Sequence, residues 1–372
     1  MSARHYLDHA STSPVRPAAL AALVDRLGRP AGDPGRIHAE GLEARVAVET
    51  GRDQVAELLG ARPRSVVFTS GATEAIAAAC WGAAERGGHQ VVAAVEHSAV
   101  RLAAQEHGEV TVVGVDGTGR VDPDELLGAI RPDTALVHLQ WGNHEVGTVQ
   151  PVEAVAAACR ERGVLLHVDA AQAAGHVPIA FDALGIDLLS VSAHKLGGPA
   201  GVGALLVRRG LRVRPLLVGG DQERARRAGL EPVAAIAGFG AAAATLDVPT
   251  LVAEAAVQRA LTDRVLAAVP QLDGVHVYGD VERRLPHLVC LGIDGVEPQA
   301  VLLGLDRAGV AAHSGSACSS EALEPSPVLE AMGVDAHRSL RLSVGWSSSD
   351  ADIDAALTAL PEILRDLRSL AS

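Results

Sequence analysis

The chain has 372 residues, 48% hydrophobic but only 2% aromatic, so a large core must be built from Ala, Val and Leu, and the length allows two domains. A formal net charge of −13 argues against a general nucleic-acid or anionic-membrane binder, no uncharged apolar run is long enough to span a bilayer, and MSARHYLDHASTSP lacks the apolar segment of a secretory signal. Cys80, Cys159, Cys290 and Cys318 form no C-x-x-C, so neither a disulfide framework nor a metal site is expected, and a reduced, cytoplasmic protein is the simplest expectation.

In chain order, residues 1–14 read as extended and turn-like, and Pro14 and Pro17 punctuate the approach to a helix over 17–27. The Gly/Pro-rich stretch 28–41 reads as a loop, a lid or plain surface being equally open, and a helix follows over about 41–59. SVVFTSGATEAIAAACWGAAE, 65–85, reads as strand, glycine turn and helix. Gly71, Ala72 and Thr73 fall at that helix start, where N–H groups, the helix dipole and a hydroxyl suit a phosphate, although many helices begin this way simply as caps. VVAAVEHSAV, 91–100, is a strand followed by Glu96-His97; a lone His at a strand end is more often structural than catalytic. Further strands are expected at 109–115 and 134–140, the second leading into WGNHEVGT. GVLLHVD (163–169) ends in Asp169, IDLLSVS (186–192) stops just before Lys195, and 201–207 forms a third run. Short apolar β runs alternating with helices predict a parallel α/β sheet, with ligands at the carboxyl ends of its strands. From about 250 a long helical pattern leads to a second set of elements, including VHVYG, HLVCLGI, a helix near 298–308 and a closing amphipathic helix over 350–370. The expected division is a large domain over 15–250 and a small one over 251–372 that residues 1–14 join.

Lys195 is the only lysine; every other Lys/Arg position is Arg. Arginine cannot stand in where a free amine is needed, because its guanidinium does not lose its proton, whereas a buried lysine can deprotonate and form an imine with a carbonyl. Chance survival on a solvated face is the bland alternative, and Ser192, His194 and Gly197-Gly198 around it argue against that. A pyridoxal phosphate enzyme needs such a lysine and an acid partner for the pyridinium nitrogen, and Asp169 sits at a neighbouring strand end.

From YLDHASTSP (6–14) to LRLSVGW (340–346) the chain resembles the class V, fold-type I pyridoxal phosphate enzymes, and within them the cysteine desulfurases of the NifS/IscS-like group. The resemblance implies a mostly parallel seven-stranded sheet in the large domain, a smaller α+β domain, and a cytoplasmic homodimer. It implies that His97 stacks on the cofactor ring and shuttles protons, that Gln172 meets the ring hydroxyl, and that Ser192 and His194 join Gly71, Ala72 and Thr73 at the phosphate. Asn143 and His144 stand where the family has two Asn before Glu-x-Gly, the second contacting ring and substrate carboxylate; His144 could donate a hydrogen bond there. Arg341 matches the arginine that pairs with the substrate α-carboxylate. Cys318, in HSGSACSS, matches the nucleophile of Ser-Ser-Gly-Ser-Ala-Cys-x-Ser, with His313 at the first Ser. The other three cysteines read as buried and inert. Asp33, Leu230 and Trp346 stand where the family has Asn, a phosphate-binding Thr and Arg. The Arg224, Arg226 and Arg227 cluster reads as interface or site entrance, with a solvated face as the alternative. The implied activity converts L-cysteine to L-alanine, leaving a persulfide on Cys318 for a sulfur-acceptor protein, such as one in iron–sulfur cluster assembly. Selenocysteine lyase, aminotransferase and a weakly active cofactor-holding platform stay open as alternatives.

Overall fold

The computed structural model describes residues 4–315 and 325–371. Its frame is a seven-stranded sheet: β2 (Val66–Thr69), β3 (His89–Ala93), β4 (Glu109–Val113), β5 (Thr134–Gln140), β6 (Leu165–Asp169), β7 (Leu188–Ser192) and β8 (Gly203–Val207). The spatial order is β2-β8-β7-β6-β5-β3-β4. All neighbours run parallel except β8, which is antiparallel to both β2 and β7. The mostly parallel expectation holds, and the exception has a simple cause. Only residues 193–202 separate β7 from β8, too few for the crossover that a parallel return needs. β5, β6 and β7 are buried along their whole length, as strands covered on both faces must be.

Register fixes the working end of the sheet. Gln140 pairs with Asp169 across β5 and β6, so the last residues of these strands lie side by side, with the end of β7 next in line. The main apolar cluster joins the sheet to the helices Pro17–Leu27, Ala39–Leu58 and Val233–Ala244 through residues such as Val55, Phe68, Ile236 and Phe239. The helix Ala72–Ala83 covers the other side through Ala75, Ala79 and Ala83. With so few aromatic residues, this packing rests on small side chains that let helix and sheet backbones approach closely.

A second apolar cluster lies among the later elements. Here β9 (Val275–Tyr278), β10 (Leu288–Ile293) and β12 (Ser339–Ser343) form an antiparallel sheet in the order β12-β10-β9. The N-terminal β1 (His5–Tyr6) pairs in parallel with β11 (Val310–Ala311), and the fully buried Leu7 packs into this cluster with the closing helix Asp350–Ala371. Trp346 has a clear local role: its indole N–H donates to the Pro14 carbonyl at 2.8 Å, and the Arg16 guanidinium lies 5.7 Å from its ring centre. Among the described residues, no single helix is long and apolar enough to cross a membrane.

Candidate functional site

A cavity of about 580 Å³ opens at the carboxyl ends of β5, β6 and β7. That size suits a small aromatic cofactor with a substrate beside it. Lys195 enters it from the short turn Ala193–Lys195 that follows β7, and its amine donates to the Ala10 carbonyl. Burial pushes this amine down to about 8, with Arg341 adding to the depression and Asp169 and Asp8 opposing it. The one lysine therefore carries a far larger neutral fraction near neutral pH than a solvated lysine does.

Asp169 closes β6, and its Oδ1 accepts from the Ala171 N–H at 2.9 Å. Gln172, on the turn beyond, donates from Nε2 to the same Ala10 carbonyl at 2.7 Å. Its Oε1 faces His287 Nε2 at 3.2 Å. At the other side, Gly71 precedes the helix Ala72–Ala83 without any side-chain cap, so the first N–H groups are left for a ligand. Glu74 in that first turn does not repel an anion strongly, because Arg227 pairs with its carboxylate at 2.9 Å and the Ser70 N–H donates to it at 2.7 Å. β8 passes so close that a Cβ on Gly203 would stand 2.7 Å from the Gly71 Cα, which explains a glycine there. Ser192 Oγ and His194 Nδ1 are 2.8 Å apart beside this helix start. His194 is pushed down to about 4, first by burial and then by Lys195.

The cavity wall opposite carries His97, His144, His313 and Arg341. His97 precedes the helix Ser98–Glu106, and its Nδ1 accepts from the Ala99 N–H at 3.1 Å. Burial, then the neighbouring His144, pushes it down to about 4. The two rings meet edge to face with centres 5.0 Å apart. His144 Nε2 lies 3.5 Å from Glu145 Oε1, and its Nδ1 is buried with no hydrogen-bond partner. Arg341, on β12 and 2% exposed, donates to the His144 carbonyl at 2.7 Å, to Asp8 at 3.0 Å and to Ser11 at 2.9 Å.

The structure thus gathers Gly71, Ala72, Thr73, His97, His144, Asp169, Gln172, Ser192, His194, Lys195 and Arg341 around one cavity. Asn143 is not among its lining residues. Its amide donates to the Val95 carbonyl, and its oxygen accepts from the Glu145 and Val146 N–H groups, so it shapes the turn that carries His144. Cys318 falls outside the described residues. Cys80, Cys159 and Cys290 are buried, with thiols pushed up to about 12, up to about 11 and upward respectively by burial. Leu230 is exposed, and Arg224 and Arg227 pair with Glu49 and Glu74. Sequence reading missed the Ala10 carbonyl, a backbone group with no side-chain signal. It also missed Glu96, fully buried with its carboxyl held well above the usual range by burial and by Asp169, and bonded to the Gln140 N–H.

The residues present fit pyridoxal phosphate: an amine near neutrality, a carboxylate at a strand end, a donor amide, and an uncapped helix start flanked by Thr73, Ser192 and His194. Comparison with known proteins points the same way. A curated cysteine desulfurase of Trichormus azollae is 42% identical over 98% of this chain and 94% of its own length. The cysteine desulfurase IscS of Dictyoglomus turgidum is 38% identical over 98% and 95%. A solved NifS-like protein superposes with a TM-score of 0.90 at 32% identity, covering 98% of this chain and all of its own. The aminotransferase class-V profile matches residues 5–356, and with relatives of this identity along nearly the whole length, the chain belongs to the class-V aminotransferase family.

Proposed function

We propose that this chain is a pyridoxal-phosphate-dependent cysteine desulfurase, which takes sulfur from L-cysteine and leaves L-alanine. The observation that carries this reading is the buried Lys195 amine, depressed to about 8 at the strand ends beside Asp169, in a chain whose full-length relatives are cysteine desulfurases. When bound, pyridoxal phosphate supplies an electron sink conjugated to the substrate's α-carbon.

The chain's own groups have separable tasks in this reading. Lys195 would hold the cofactor and move protons at the substrate's α-carbon. Asp169 would serve as the charge partner of the ring nitrogen, and Gln172 would donate to the ring oxygen. The uncapped N–H groups after Gly71, with Thr73, Ser192 and His194, hold the phosphate. Arg341 meets the substrate carboxylate with a planar fork, displacing its present contacts to Asp8 and Ser11. His97 handles a substrate proton. Cys318, as thiolate, attacks the substrate sulfur; the carbon–sulfur bond breaks, its electrons stay with the carbon fragment, and a persulfide is left on Cys318.

The resemblance extends the reading to a homodimer, to a sulfur-acceptor protein and to a cytoplasmic setting. Light scattering of the purified protein tests the dimer.

The decisive experiment records the visible spectrum of the purified protein before and after L-cysteine, with alanine and sulfide assayed in parallel. The yellow band of lysine-bound cofactor is expected in the wild type and in Cys318→Ala, and not in Lys195→Ala. Alanine and sulfide formation is expected to fail in both variants. Full sulfide release by Cys318→Ala would replace the desulfurase reading with a lyase, and a wild type without the band would remove its foundation.

A further inference from the structure

Two histidines share the cavity wall, and their polar contacts suit them to opposite roles. The Ala99 N–H donates to His97 Nδ1 at 3.1 Å, so that nitrogen carries a lone pair and not a proton. A neutral His97 must then hold its proton on Nε2, and burial and His144 keep it neutral down to about pH 4. Its free nitrogen is a donor. To accept a proton it would have to give up the bond that starts the helix Ser98–Glu106.

His144 is wired the other way. Its Nε2 stands 3.5 Å from the Glu145 carboxylate, which favours a proton on that nitrogen. Glu145 is itself buried and anchored, its other oxygen accepting from the Ser326 hydroxyl at 2.5 Å. Nδ1 of His144 is therefore the lone-pair nitrogen. It is buried, has no hydrogen-bond partner, and belongs to a side chain only 9% exposed on a residue lining the cavity. A buried acceptor without a partner is costly unless a ligand serves it.

We propose that His144, through Nδ1, is the base that takes the thiol proton of the substrate, with Glu145 balancing the imidazolium and His97 acting as the donor of the pair. This inference rests on the desulfurase reading above. In the step, the S–H bond breaks with both electrons left on sulfur, and the proton forms an N–H bond at Nδ1. The same proton can return to the carbon that later loses sulfur, which needs one to become the alanine methyl group. The charged and titratable groups facing His144 fit this cycle. They are the Glu145 carboxylate at 3.5 Å, the Arg341 guanidinium on the His144 carbonyl, Lys195 in the same cavity and the His97 ring edge-on.

A substrate swap tests this. The selenol of L-selenocysteine is ionised at neutral pH and needs no base, while the thiol of L-cysteine does. Single-turnover alanine formation is measured for His144→Asn, His144→Gln and His97→Asn with both substrates, and the bound-cofactor band of each variant reports that the site is intact. Both His144 variants are expected to keep the band, to lose roughly 100-fold or more with L-cysteine, and to lose far less with L-selenocysteine. His97→Asn is expected to be impaired with both. Equal loss on the two substrates in band-retaining His144 variants would overturn the assignment, as would near wild-type turnover of L-cysteine. A wild type that forms no alanine from L-cysteine would sink the desulfurase reading and this inference with it. If both His144 variants lose the band, the residue holds the cofactor and the proton-accepting role is rejected.

Discussion

Lys195 and Gln172 donate to one and the same acceptor, the carbonyl oxygen of Ala10. The N-terminal segment thereby holds the Lys195 amine beside the Gln172 amide, the two groups proposed to take up the cofactor and to meet its ring. The amine leaves this carbonyl when it takes up the cofactor, while the amide can stay. Only the neutral amine can attack the cofactor's aldehyde, and burial holds Lys195 down to about 8. Below that pH it is protonated and slow; above it the neutral form dominates. Capture of pyridoxal phosphate by cofactor-free protein should therefore accelerate with pH and level off above about 8. A solvated lysine would keep accelerating toward roughly 10.4. Stopped-flow absorbance against pH distinguishes the two. The same depression has a stability consequence. Between about 8 and roughly 10.4 the unfolded chain binds more protons at this site than the folded one, so cofactor-free protein gains stability as pH rises through that window.

His287 is expected to govern cofactor affinity without touching the cavity. Its Nε2 faces Gln172 Oε1 at 3.2 Å, and because the Gln172 amide nitrogen already donates to Ala10, this contact must be His287 donating. His287 is stacked on His176, with ring centres 3.6 Å apart, and burial and its histidine neighbours keep it far below its usual pKa and hence neutral. His287→Leu leaves Gln172 Oε1 buried without a donor, a cost of about 1–3 kcal/mol, and lets the amide turn its oxygen toward the ring. Pyridoxal phosphate affinity, read by equilibrium dialysis, should fall by roughly 10-fold or more. His287→Asn, which keeps an N–H donor, should recover most of the loss. Equal affinity in wild type and His287→Leu would show that Gln172 needs no such support.

These two contacts mark how far the sequence could be read. Strand ends at Asp169 and Ser192 were legible because runs of buried Val and Leu stop there, and the sole lysine carried its own chemical signal. The uncapped helix start proposed for the phosphate was legible as strand, glycine and helix. The antiparallel β8 follows from the short connection after β7. What stayed hidden is what depends on long-range approach: a backbone carbonyl at residue 10, the Glu96 carboxyl under Asp169, and a stack between His176 and His287, 111 positions apart in the chain. Asn143 shows the opposite failure. Its residue type suits a ligand contact, yet three backbone partners consume it.

Arg341 should control substrate affinity more than cofactor binding. It is nearly fully buried, and its two terminal nitrogens already hold the His144 carbonyl, Asp8 and Ser11. Arg341→Lys keeps the charge but loses the fork, and a point charge cannot serve both carboxylate oxygens and the His144 carbonyl together. KM for L-cysteine is expected to rise by about 10-fold or more, for loss of a charged hydrogen bond of roughly 1.5–3 kcal/mol, while the bound-cofactor band stays. Steady-state kinetics with the spectrum recorded on the same samples checks this. A lost band with unchanged KM would reassign the residue to the cofactor.

Arg52 and Glu223 form a buried, two-pronged ion pair with both contacts at 2.7 Å, and Glu223 also accepts from the Phe68 N–H at 2.9 Å. The pair ties the helix Ala39–Leu58 and the edge strand β2 to a segment in which Glu223, Arg224 and Ala225 all have positive φ, at 50°, 60° and 61°. Such backbone is unfavourable for residues with a Cβ and persists only where surrounding contacts hold it. Removing Arg52 leaves the buried Glu223 carboxylate without its two-pronged partner, and removing the Glu223 charge leaves the buried Arg52 with only the part-exposed Glu49 carboxylate at 3.2 Å. Glu223→Gln and Arg52→Leu should each destabilise the fold by about 3–5 kcal/mol, seen as a lowered midpoint in urea with little change in slope. The double variant should be less destabilised than the sum of the two single ones, since it leaves no orphaned charge. Additive single and double variants would mean that the pair contributes nothing as a pair, and that other contacts hold the strained segment in place.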